Sequence, residues 1–135
     1  MAGHQAIVSV GSNIEPEQNI ERAIEILRAE QDLIDQSTMI QTRPVGLVNQ
    51  PDFINGALLI ETELDYEAFN RYLKNVEARL QRVREGQSFG PRTMDLDIVV
   101  WDRKVVHDDY HQYDHTRDPV NELVNRHQLG LDQQG

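Results

Sequence analysis

Residues 94–101, MDLDIVVW, set apolar side chains at Met94, Leu96, Ile98 and Val100 against carboxylates at Asp95 and Asp97. In a strand, successive side chains point to opposite faces. This segment therefore demands a sheet with one face buried against a core and another able to hold two like charges. A helix would scatter the same residues around its axis.

The segments upstream meet that demand. Ala6 to Val10, AIVSV, is a short β-rich run that ends on the turn signal Gly11-Ser12-Asn13. Pro16 suits a first helical turn, and Ile20, Ala23, Ile24 and Leu27 follow at helical spacing, which predicts a helix from about 16 to about 30. A second strand is expected over Gln36 to Arg43 and a third over Phe53 to Glu61. Asp65 is a good N-cap, and Phe69, Tyr72, Leu73, Val76, Leu80 and Val83 form an apolar stripe that predicts a helix over roughly 66 to 84. The order strand, helix, strand, strand, helix, strand is that of an α+β, ferredoxin-like βαββαβ domain, with both helices on one face of an antiparallel sheet. The other face is then free for a site. Residues 104–135 read as a polar C-terminal extension of this single domain, with 118–127 the one helical candidate.

Net charge is −10, which argues against a nucleic-acid partner, because such binding rests largely on neutralised phosphates. Yet residues 79–92 hold Arg79, Arg82, Arg84 and Arg92 against Glu85 alone, a local +3. This island suits an anion; it equally suits a helix end that complements its own dipole. The chain has no cysteine, so thiolate chemistry and disulfides are excluded. No basic region precedes the first short apolar run, and no run approaches the roughly 18 residues of a membrane span. The expectation is a cytoplasmic protein without a membrane partner; oligomeric state leaves no mark on the sequence.

Asp95 and Asp97 on one face suit hard divalent cations held jointly with substrate phosphates. An exposed strand whose charges merely meet arginines would look the same. Arg92 and the basic island lie just upstream, which points to phosphoryl or nucleotidyl transfer, although no GxxxxGK[ST] loop is present. In Gln50-Pro51-Asp52-Phe53-Ile54-Asn55, the aromatic Phe53 and the amide Asn55 share a strand face and could clamp a flat heterocycle. Phe53 could also be plain core. His107, His111 and His115 recur every fourth residue, but HDDYHQYDH is poor in helix formers and reads as a solvated tail before a metal site.

Taken together, Gly11-Ser12-Asn13, Thr42-Arg43-Pro44, QPDF-x-N at 50–55, Glu77 with Arg82 and Arg84, and FGPRTMDLDI at 89–98 resemble the 6-hydroxymethyl-7,8-dihydropterin pyrophosphokinase family of folate biosynthesis over about residues 6–103. The resemblance implies transfer of diphosphate from ATP to the hydroxymethyl group of a reduced pterin, with release of AMP. It implies two Mg2+ ions at Asp95 and Asp97, with Arg92 and Arg82 assisting catalysis. The pterin would meet Thr42, Pro44, Val45, Phe53 and Asn55. ATP would meet Lys74, Glu77, Arg84, Phe89, Arg92 and Ile98, with His115 and Arg117 standing in for a family histidine and arginine. Tyr110 or Tyr113 would supply a second aromatic cover. Several positions depart from the family pattern: Ser88 and Phe89 replace its usual arginine and tryptophan, Lys74 and Glu85 are atypical, and no clean match follows Val106. A degenerate relative that binds pterin or nucleotide without turnover is the alternative. A cyclase- or polymerase-like use of strand carboxylates is a third reading, in which the QPDF-x-N block has no purpose.

Overall fold

In the computed structural model, residues 3–42, 52–83 and 94–132 are described, apart from the side chains of Arg82 and Val83. The elements run β1 (His4–Ser12), α1 (Pro16–Glu30), β2 (Asp32–Gln36), β3 (Ile40–Thr42), β4 (Phe53–Thr62), α2 (Tyr66–Val83), β5 (Asp95–Trp101), β6 (Lys104–Val105), α3 (Asp109–Gln112) and α4 (Asp114–Arg126). The sheet order is β2-β4-β1-β5-β6, with β3 also paired to β4, and every pairing is antiparallel. With β2 and β3 counted as one interrupted strand, this is the expected βαββαβ arrangement.

The apolar stripes of α1 and α2 explain why both helices lie on one face. Ile20, Ala23, Ile24 and Leu27 from α1, with Phe69, Leu73, Val76 and Leu80 from α2, pack on Ala6, Val8, Val10, Leu58, Ile60, Met94, Leu96 and Ile98. Asp65 caps α2 as its sequence suggests, its Oδ1 accepting the Ala68 N–H at 2.8 Å. Arg79, from the basic island, turns to the Glu30 carboxylate at 2.8 Å and so ties α2 to the end of α1.

Several expectations from the sequence are corrected. β1 does not stop before Gly11 but continues through Ser12, and the reversal comes at Glu15, whose φ is 40°. The second strand begins earlier than Gln36 and is broken at residues 37–39. There the buried Ser37 stands in for the ladder: its Oγ accepts the Ala57 N–H at 2.9 Å while its own N–H donates to the Ala57 carbonyl. Strict alternation in β5 also fails. Ile98 pairs with Val8 but Val100 pairs with Ile7, so Val99 is an extra residue in a β-bulge. Val100 therefore joins Val99 on the second face, and Trp101 returns to the helix-covered side.

That second face is not free along its whole length. Val120 and Leu123 of α4, both fully buried, pack on Ile7, Ala57, Leu59, Val99 and Val100. The histidine-rich segment, expected as a solvated tail, contains α3 and the start of α4, and Leu129 and Leu131 of the polar extension lie against the same cluster. Among the described residues no helix is long and apolar enough to cross a membrane.

A polar clasp closes α4 onto the sheet edge. Asp35 of β2 receives His127 Nε2 and Arg126 Nη1 at 2.7 and 2.8 Å, and Glu122 receives the Thr38 N–H and hydroxyl at 3.1 Å. The hydrogen bonds from His127 and then Arg126 hold the Asp35 carboxyl down at about 2. A carboxyl lowered on folding stabilises the fold above its unfolded value and loses that contribution as pH falls through the folded one. Asp35→Asn is therefore expected to lower the urea midpoint at pH 7, with the gap to wild type closing as pH drops from about 4 to about 2. A gap that stays constant over this range would contradict the clasp.

Candidate active site

The uncovered end of the second face is built by register. In β1, Gly11 lies between Asn55 of β4 and Asp95 of β5, and Ser9 lies between Ala57 and Asp97. Thr42 of β3 pairs with Phe53. Since residues two apart in a strand share a face, Asp95 and Asp97 stand side by side with Phe53 and Asn55 across the sheet from them. These groups line one cavity of about 320 Å3, with Ser9, Gly11 and Thr42 in its floor and Asp109, Tyr113, His115 and Thr116 in the wall opposite. A cavity of this size is in the range used by small-molecule ligands.

Gly11 makes the floor possible. A Cβ there would come within 2.7 Å of Asn55 Oδ1, so only glycine lets the amide lie over β1. The amide is further fixed by Thr42, whose Oγ1 accepts from Asn55 Nδ2 at 2.6 Å. The Asn55 carboxamide is thereby held in one orientation, with Phe53 two residues away along the same strand.

At the other side of the floor, α2 leans over the margin of β5. Glu77 accepts the Leu96 N–H at 2.6 Å, and Lys74 Nζ donates to the Leu96 carbonyl at 2.9 Å, to Glu77 at 3.1 Å and to Asp97 Oδ1 at 3.3 Å. Lys74 and Glu77 thus cap the open edge of β5. Burial pushes the Glu77 carboxyl above its ordinary value, although the Leu96 N–H and Lys74 oppose the shift. Burial pulls on the Lys74 ammonium in the other direction, and the Asp97 and Glu77 carboxylates outweigh it to keep the amine protonated above the usual lysine range.

The donor set at Asp95 and Asp97, two carboxylates on one face of a cavity, fits a hard cation such as Mg2+ that keeps waters and phosphate oxygens among its ligands. Among the described residues no group of three or more His, Cys, Asp or Glu side chains is placed to hold a metal ion.

The other residues singled out in the sequence divide clearly. His115 lines the cavity and stacks on Tyr113 with ring centroids 5.1 Å apart. Arg117 does not reach the cavity: it binds Asp114 and the carbonyls of Tyr110 and His111, locking α3 to α4. The Ile98 side chain is buried in the helix-side core, so any contact it makes with a ligand is through main chain. Of the two candidate tyrosines, Tyr113 lines the cavity, whereas Tyr110 packs in the second core with its hydroxyl on Asn121. His107 and His111 go to Asp109 and Tyr110 respectively, so the three evenly spaced imidazoles do not converge. Pro44, Val45, Arg84, Phe89 and Arg92, and the side chain of Arg82, lie outside the described residues. Thr116 had no signal in the sequence and Asp109 stood out only as one of the acids among the histidines, because the packing of α3 and α4 is what brings them over the sheet.

Comparison with known proteins gives a consistent picture. The sequence model of the 7,8-dihydro-6-hydroxymethylpterin-pyrophosphokinase family matches residues 7–125. The chain is 32% identical over 115 residues to the 2-amino-4-hydroxy-6-hydroxymethyldihydropteridine pyrophosphokinase of Campylobacter jejuni, which covers 82% of this chain and 71% of that protein. The protein of the same name from Bacillus subtilis is 34% identical over 102 residues, 73% of this chain and 60% of its own length. That from Haemophilus influenzae is 30% identical over 104 residues, 75% of this chain and 64% of its own. The chain thus matches about two thirds of the length of these relatives.

Gly11→Ala tests how the floor is built. The new methyl should displace the Asn55 carboxamide and break its bond to Thr42, at a cost of about 1 kcal/mol in stability. The Asn55 side-chain amide resonances should then move and exchange faster with solvent while the β1 backbone resonances keep their dispersion. Unchanged Asn55 resonances would show that the amide does not depend on the glycine.

Proposed function

The chain belongs to the 7,8-dihydro-6-hydroxymethylpterin-pyrophosphokinase family, and from that premise we propose that it transfers the diphosphate of ATP to the hydroxymethyl group of 6-hydroxymethyl-7,8-dihydropterin, releasing AMP, as a step in folate biosynthesis. The observation that carries this reading is the shared floor of the cavity: a reader of flat heterocycles, Phe53 and Asn55, lies across β1 from a carboxylate pair, Asp95 and Asp97. Binding of the acceptor next to a polyphosphate is what such a transfer needs.

In this reading Asn55, held by Thr42, hydrogen-bonds the edge of the pterin, and Phe53 packs on its ring. Tyr113, on the opposite wall, is the second aromatic cover. Pro44 and Val45 complete the pterin pocket by carry-over from the family motif. Lys74 and Glu77 face the nucleotide along the margin of β5, and His115 contacts its phosphates from the α4 side. Arg84, Phe89 and Arg92 are assigned to ATP, and Arg82 with Arg92 to catalysis, on their sequence positions. Arg117 and the side chain of Ile98 leave the assignment, since one braces α3 against α4 and the other is core.

Two Mg2+ ions at Asp95 and Asp97 would supply charge neutralisation on the triphosphate. The chain's own groups do the positioning. The pterin hydroxyl oxygen, oriented by Asn55 and Phe53, attacks the β-phosphorus in line. The new O–Pβ bond forms as the bond from Pβ to the bridging α–β oxygen breaks, and AMP leaves with that electron pair. The hydroxyl proton passes to Asp97 or to water.

The test is an assay with ATP, Mg2+ and reduced hydroxymethylpterin, followed by chromatography for AMP and pterin diphosphate. AMP should form only when both substrates are present. Asp95→Ala and Asp97→Ala should each reduce turnover by roughly 10²–10³-fold or more with the fold intact. Binding of both ligands without AMP would assign the chain to a non-catalytic branch, and retained turnover in both variants would remove the carboxylates from the mechanism.

A further inference from the structure

Lys74 stands at the margin of the site beside Asp97, and its surroundings suggest a role for it there. An ammonium has three N–H donors. At Lys74 all three have acceptors: the Leu96 carbonyl at 2.9 Å, Glu77 Oε2 at 3.1 Å and Asp97 Oδ1 at 3.3 Å. The first two anchors are rigid, because Leu96 sits in β5 and Glu77 is itself pinned by the Leu96 N–H at 2.6 Å. The contact to Asp97 is the longest of the three, and it can be given up without dislodging the lysine.

Without a bound ligand, Asp95 and Asp97 put two carboxylates on one face of a chain of net charge −10. A fixed cation next to one of them relieves that repulsion. The same cation also repels a divalent ion approaching Asp97 and shares the oxygen that ion needs. A nucleotide changes the balance, since its phosphates bring enough negative charge to accommodate both the lysine and the metal. Given Asp97 as a metal ligand, the reading on which this rests, we infer that Lys74 is a resident counter-ion of the carboxylate pair. It disfavours binding of a free divalent cation and leaves the site to a cation that arrives with a polyphosphate. Lys74 is thus a positioning residue for Asp97 that couples metal entry to nucleotide entry.

The experiment measures Mn2+ binding by the loss of its free EPR signal, in the absence of nucleotide and again with a non-hydrolysable ATP analogue. Lys74→Met keeps the apolar stem and removes the charge. It should bind Mn2+ about 5- to 10-fold more tightly than wild type without nucleotide, and this advantage should vanish or reverse with the analogue present. Lys74→Gln should move the affinity in the same direction, and Lys74→Arg should stay close to wild type. Asp97→Asn, alone and combined with Lys74→Met, is the control for the metal site. Unchanged or weaker Mn2+ binding in both neutral Lys74 variants, with Asp97→Asn still reducing binding, overturns the counter-ion role and leaves the metal site standing. Mn2+ binding indifferent to Asp97→Asn removes the metal-ligand reading and this inference with it.

Discussion

The register of β1 against its two neighbours is the constraint on which the rest of the molecule depends. β1 is the central strand: its ladder to β4 runs from His4 to Ser12 and its ladder to β5 from Ala6 to Gly11. Both side-chain sets are spoken for, since Ala6, Val8 and Val10 face the helices while Ile7, Ser9 and Gly11 face the other way. A slip of one residue would exchange these sets. It would put Gly11 and Ser9 under the helices and Val10 beneath the Asn55 amide, which has no room for a Cβ. Core and cavity are therefore two readouts of one alignment.

Much of this was legible in the sequence, and for one reason: period. The helical stripes of α1 and α2 and the alternation through Met94 to Ile98 report which side of each element is covered, and α1 and α2 lie within a residue or so of the expected bounds. Asp95 and Asp97 were placed together by the same rule, and Phe53 with Asn55 likewise. What was not legible depends on geometry that local pattern does not carry. Gly11 resembled a turn residue because a glycine needed for a close approach and one needed for a reversal look alike in sequence. Val100 followed the expected parity until the bulge shifted it. In the C-terminal region 118–127 was read as helical, but α3 and the first turn of α4 were not, because α4 begins in a polar stretch and buries only a narrow set, Thr116, Pro119, Val120 and Leu123.

The consequence for the site is a division of labour between segments of different origin. The floor comes entirely from the sheet, which the two-helix layer supports from beneath. The wall comes from α3 and α4, which the second core and the Asp35 clasp hold in place. Tyr113 and His115 precede the residues of α4 that pack, so their position over the floor is inherited from Val120 and Leu123 rather than from any direct bond to the sheet. The family match runs on past Val106 to residue 125, and in that stretch the chain places an aromatic ring, Tyr113, and an imidazole, His115, in the wall of the cavity.

The bulge in β5 has a mechanical meaning. Before it, the strand feeds Leu96 and Ile98 to one layer; at it, Val99 and Val100 both enter the other layer; after it, Trp101 re-enters the first against Phe69 and Tyr66. A strand bolted alternately into two separate layers cannot creep lengthwise, because any travel along β1 would tear residues out of both at once. Asp95 and Asp97 thus sit at the end of a beam that is clamped a few residues behind them. Ligands can come and go at that end while the beam itself keeps its place.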